Sequence, residues 1–105
     1  LESPEVLAAQ DAWEIARAEL EAVESELEVL DLAFDEKEAE FEELEDGGMD
    51  PEEIEDQMLI YLDSIVDQYD ALETRLMDAE AAELEAAERL DAARRTFSGA
   101  SRSTP

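Results

Sequence analysis

Two apolar seams in step with the α-helix, one on each side of a single break, constrain this chain more than anything else in it. Before the break the seam advances by three and four residues without interruption: Val6, Ala9, Trp13, Ala16, Leu20, Val23, Leu27, Leu30, Phe34, Lys37, Phe41 and Leu44. After it the same alternation runs through Met58, Leu62, Ile65, Tyr69, Leu72, Leu76, Ala79, Glu83, Ala86, Leu90, Ala93 and Phe97. A repeat of this kind lays an apolar stripe along one helix face, and sustained over many turns it is the pattern of a left-handed coiled coil. Lys37 and Glu83 are its only charged members.

The break is Glu45-Asp46-Gly47-Gly48-Met49-Asp50-Pro51. A glycine suits the left-handed position after a helix end. Asp50 suits the N-cap, Pro51 the first helical position, and Glu53 the third residue of a capping box. Ser3-Pro4 repeats that start signal, and Arg94 and Arg95 place cations where the second helix ends. The spacing predicts helix 1 over residues 4–46, a turn at 47–50, helix 2 over 51–97, and a small, polar, flexible tail at 98–105. No strand pattern competes.

Folding back at the glycines makes an antiparallel pair, in which facing residues have numbers of constant sum. A sum of 99 sets each seam position from Val6 to Phe41 against one from Met58 to Ala93, with layers such as Val6/Ala93, Trp13/Ala86, Ala16/Glu83, Leu20/Ala79, Leu30/Tyr69, Phe34/Ile65, Lys37/Leu62 and Phe41/Met58. Large side chains face small ones in the half far from the turn, as native packing density demands. The same register brings Glu26 near Arg75, and Arg17 near Glu80 and Glu83. Exposed pairs of this kind are worth about 0–1 kcal/mol and choose register more than they stabilise. Lys37 is expected to lay its stem along the seam and turn its ammonium toward Glu38, Asp63 or Asp67. Glu83 reads as a carboxylate tucked beside Ala16 that reaches Arg17 or solvent, with a buried functional acid as the alternative.

The expected fold class is therefore all-α, an antiparallel two-helix coiled-coil hairpin in one domain. A single seam covers little apolar surface, and Ile54, Met58, Leu59, Ile60, Tyr61, Leu62, Ile65, Val66 and Tyr69 surround helix 2 on nearly every side. A helix apolar all round is a buried helix. Helix 1 adds Val29, Leu32 and Ala33 off its seam at a nearby level. The turn-proximal half is thus expected to pack against a second copy as a four-helix bundle, a homodimer being the commonest oligomeric solution. Docking of a different protein is the competing expectation. The candidate interaction residues are Ile54, Leu59, Ile60, Tyr61, Val66, Val29 and Leu32.

Composition narrows the chemistry. The 105 residues carry 33 Asp and Glu against 7 Lys and Arg, a formal net charge of −26, with no His and no Cys. Thiolate nucleophiles, disulfides, imidazole bases and the usual His or Cys zinc sites are excluded. Phosphate neutralisation needs clustered Lys and Arg, so nucleic acid and anionic membrane surfaces are not expected partners. No run of about 18 apolar residues is present, so no span of a bilayer is expected. The first residues carry Glu2 and Glu5 where a secretory signal has bases, and a cytoplasmic location is expected. The acidic turn departs from the calcium-loop pattern, with Gly48 and Pro51 at its third and sixth positions. No catalytic residue, cofactor or metal ligand is expected.

The cations are Arg17, Arg75, Arg89, Arg94, Arg95 and Arg102, with Lys37 the one lysine. This very acidic, lysine-poor composition resembles that of short helical cytosolic proteins of salt-accumulating halophilic archaea. The resemblance implies a solvent of high ionic strength, where a Debye length of about 3 Å at about 1 M salt screens carboxylate repulsion. Two functions fit: a non-enzymatic structural or adaptor protein working through coiled-coil surfaces, and an acidic DNA mimic that inhibits a nucleic-acid-binding protein.

Overall fold

The computed structural model describes residues 3–102, with side chains for residues 3–98. The fold is an all-α helical hairpin: α1 spans Pro4–Asp46 and α2 spans Pro51–Arg102. Among the described residues there is no strand.

Both helices start by the same device. Ser3 Oγ accepts from the Glu5 amide at 3.2 Å, and Asp50 Oδ1 accepts from the Glu52 amide at 3.2 Å. The carbonyls of Ser3 and Asp50 accept the first intrahelical bonds, from Leu7 and Ile54. A proline follows each cap, where its missing N–H costs nothing. α1 stops in a Schellman turn. The Met49 amide donates to Leu44 O and the Gly48 amide to Glu45 O, both at 3.1 Å. Gly48 carries φ +86, the left-handed conformation that an L side chain resists. α2 runs past the expected residue 97 to Arg102, because Ser98-Gly99-Ala100-Ser101 contains no proline stop and extending a formed helix fixes only one residue per bond. Of the expected flexible tail, residues 103–105 lie outside the described residues.

The chain divides into two compact units: residues 1–23 with 75–105, and residues 24–74. In the first, Val6, Val23, Ala79, Ala86 and Leu90 are buried, with Val23 fully so. Ala9, Trp13, Ala16, Leu20, Leu76, Glu83 and Ala93 are half-buried. All sit on the expected seam. Alanines fill much of the α2 side, the slim surface that a tryptophan on α1 requires. Phe97, expected at the seam's end, is exposed instead.

In the second unit, Phe41, Ile54 and Ile65 are buried, and Leu27, Leu30, Phe34, Lys37, Tyr61, Tyr69 and Leu72 are half-buried. Here α2 departs from the expected seam. Leu62 and Met58 are 38% and 39% exposed, and Tyr61 takes the inward place. Its ring stacks on Phe34 at a centroid distance of 6.2 Å and meets Phe41 tilted at 6.2 Å. The inward run Tyr61–Ile65–Tyr69 therefore takes two steps of four in succession, where strict alternation has a three. Leu44, in the last turn of α1, is likewise partly exposed.

Candidate functional site

The seven candidate interaction residues do not share one face. Ile54 is 7% exposed and Tyr61 half-buried, so both belong to the packing of their own unit. Leu59, Ile60, Val66, Val29 and Leu32 are 56%, 71%, 51%, 66% and 63% exposed. At about 100° per residue, Val29 and Leu32 lie on the side of α1 opposite Leu30 and Phe34. Ile60 stands alone on α2 among Glu53, Asp56 and Asp67. Leu59 and Val66 share a flank with Leu62, a residue that periodicity assigns to the seam. The three form a second, outward stripe at spacings of three and four.

Acids surround this stripe. Glu55 and Glu73 close its two ends, and Glu52, Asp56, Asp63 and Asp70 run along its outer edge, all exposed. The charge of the chain is concentrated here. Residues 24–74 hold 21 acidic side chains and one lysine, a net charge of −20, whereas the other unit holds 12 acids and six arginines, a net −6. The lysine is spent inside the unit. Lys37 Nζ lies 3.2 Å from Glu40 and 5.5 and 5.7 Å from the ring centroids of Phe41 and Tyr61. Glu40 and the two rings, rather than Glu38, Asp63 or Asp67, therefore fix its direction. Beside it a cleft of about 180 Å³ opens between Phe34, Glu38, Phe41, Met58, Tyr61 and Leu62. That is smaller than ordinary ligand pockets, which start at about 300 Å³.

The other unit presents an open cleft of about 490 Å³ lined by Gln10, Trp13, Glu83, Ala87, Leu90, Asp91 and Arg94. Trp13 Nε1 donates to Glu83 Oε1 at 2.9 Å, and Arg17 Nη1 stands 4.0 Å from the same oxygen. The Arg17 guanidinium also lies 5.8 Å from the indole centroid. The Glu83 side chain is 22% exposed, so two donors and water share its charge. It reaches Arg17, as the plainer expectation has it, and its tie to Trp13 across the helices lies beyond that expectation. The indole N–H reaches Glu83, one turn from Ala86, the residue expected opposite Trp13.

A further cross-helix contact belongs to residues 24–74. Tyr69 Oη donates to Asp31 Oδ1 at 2.6 Å. That bond, with partial burial and the charges of Asp31 and Asp35, pushes the Tyr69 phenol up to about 12. Among the described residues no group of three or more acids is placed to hold a metal ion. Neither helix, over its described residues, is long and apolar enough to cross a membrane.

No known protein family, curated protein or solved structure matches this chain.

Proposed function

We propose that this chain is a non-enzymatic coiled-coil structural or adaptor protein that works through protein–protein contacts of residues 24–74. The observation that carries the reading is the exposed Leu59–Leu62–Val66 stripe beside a seam that is already filled. Apolar side chains ordered at helical spacing and left uncovered mark a surface for another helix. The reading has two forms, a homodimer closing into a four-helix bundle and a complex with a different protein. Its setting is the cytoplasm of a salt-accumulating cell, for which the acidic, lysine-poor composition speaks. Sedimentation of the full chain at high salt, with co-purification from native lysate in the same buffer, tests it. A stoichiometric assembly lost in Leu59→Ser/Val66→Ser is expected. A monomer that recovers no partner retires the reading.

The DNA-mimic reading draws support from the 21 acids among residues 24–74. It requires competition with duplex DNA for a basic partner, persisting at the working salt, and insensitivity to Leu59→Ser/Val66→Ser.

A further inference from the structure

We propose that the Leu59–Leu62–Val66 stripe is the docking strip for a cationic amphipathic helix of another protein. The inference rests on the adaptor reading and narrows it to one kind of partner.

Three observations converge on that occupant. The stripe repeats the three-four spacing of the buried seam, so the shape it offers is that of one helix laid along another. At about 1.5 Å per residue, Glu52 to Glu73 spans about 30 Å, room for a partner helix of roughly 20 residues. The rim is of one sign throughout. Between Pro51 and Thr74, α2 carries no basic residue, and Lys37 of α1 is engaged with Glu40 and two aromatic rings.

Charge then separates the possible occupants. A second copy brings an identical acidic rim to the contact, and like charges set against each other oppose association wherever salt does not screen them. Salt adaptation does not account for the rim either. Both units are in the same solvent, yet one carries −20 and the other −6. A pure charge mimic has no use for leucine and valine at the centre of its acidic face. An apolar ridge inside an acidic frame is complementary to a helix with apolar anchors at i, i+3 or i+4, and i+7, flanked by Lys and Arg.

The test uses the full chain and a fluorescently labelled synthetic helix of roughly 20 residues with leucine anchors and Lys/Arg flanks. Two control peptides accompany it, one scrambled to destroy the apolar face and one with Glu flanks. Anisotropy is read at about 0.15 M and about 1 M salt, where the Debye length falls from about 8 to about 3 Å. Expected are saturable one-to-one binding that weakens with salt, and a loss of about tenfold or more in Leu59→Ser/Val66→Ser. Both positions are solvent-facing, so the variant keeps its helical circular dichroism. Ile15→Ser, a still more exposed change in the other unit, leaves binding unchanged. Equal binding of the scrambled peptide overturns the strip and leaves only bulk charge. A free-chain dimer that Leu59→Ser/Val66→Ser dissociates also overturns it, while the adaptor reading survives as self-association. So does a natural partner whose capture ignores that variant. If no peptide binds, no dimer forms and no partner is captured, both the strip and the adaptor reading fall.

Discussion

The two units are cut from the same two helices and meet the same solvent, yet they solve different problems. Residues 1–23 with 75–105 bury small alanines of α2, fix a carboxylate with Trp13 and Arg17, and carry arginines that offset half of the acids. Residues 24–74 use aromatic stacking around Tyr61, hold their one lysine against Glu40 and two rings, and leave both acids and leucines facing water. The first arrangement is nearer to balance in charge and leaves fewer large apolar side chains exposed. The second carries more self-repulsion and more uncovered apolar surface, which are costs to a free chain and assets at an interface. Natural probes separate the two: the single tryptophan lies in one unit and both tyrosines, Tyr61 and Tyr69, in the other.

Salt is expected to break the comparison most strongly. As ionic strength falls from about 1 M to about 0.01 M the Debye length grows from about 3 to about 30 Å, and carboxylates several turns apart begin to repel. Residues 24–74, at −20, lose stability first. Urea unfolding followed by tyrosine absorbance should move to lower denaturant ahead of unfolding followed by Trp13 fluorescence. Coincident midpoints at low salt would show that the charge asymmetry has no energetic consequence. Next in size is Phe41→Ala. Phe41 is 7% exposed and packs on Tyr61, so truncation is expected to cost about 3–5 kcal/mol. Hydrogen exchange should place the loss in residues 24–74. A cost under about 1 kcal/mol, the level of an exposed site, would remove the aromatic cluster as that unit's support.

Much of this was legible in the residues themselves. The α1 seam from Val6 to Phe41 reads directly because its three-four steps never falter, and the caps read directly because Ser3-Pro4 and Asp50-Pro51 leave one chemically sensible start each. Near the turn, α2 is apolar on almost every side, so two stripes fit: Met58–Leu62–Ile65 and Ile54–Met58–Tyr61–Ile65. Periodicity cannot choose between them; the fit of the Tyr61 ring against Phe34 and Phe41 does. Once Tyr61 turns inward, Leu62 turns outward, and the outward stripe comes into being. The seven candidate residues fall on several faces for the same reason, because nearness in level along two helices does not place side chains on one face. Tyr69–Asp31 depends on side-chain reach and carried no sequence signal, whereas the charge imbalance could have been counted by region.

Smaller effects sharpen the comparison. Glu83→Ala leaves the Trp13 N–H without its acceptor, for an expected loss of about 1 kcal/mol, the low end for a partly hydrated site. Glu83→Gln keeps an acceptor for the indole and gives up only the exposed charge contact with Arg17, so most of that loss should be recovered. Trp13 fluorescence reports both variants directly. If Gln is as damaging as Ala, the negative charge and not the hydrogen bond joins the helices in this unit.

The smallest expected effect is a matter of pH and belongs to the acidic unit. The Tyr69 phenol donates to Asp31, and ionising it would remove the donor and set a second negative charge beside the carboxylate. Folding therefore holds the phenol proton more tightly, raising the group from 10.0 to about 12. A raised folded value means that the contribution is fully present below pH 10 and disappears as pH climbs through 12. The stability gap between the wild type and Tyr69→Phe should close across that window and stay constant on its neutral side. Phenolate absorbance should lose its latest step in Tyr69→Phe, and in Asp31→Asn that step should move to lower pH. Should Tyr69 instead titrate at the ordinary value, the Asp31 bond does not survive in solution, and residues 24–74 lose a polar tie across the hairpin while the arginine-bearing unit keeps Trp13–Glu83 and Arg75–Glu19, making the contrast between the two sharper still.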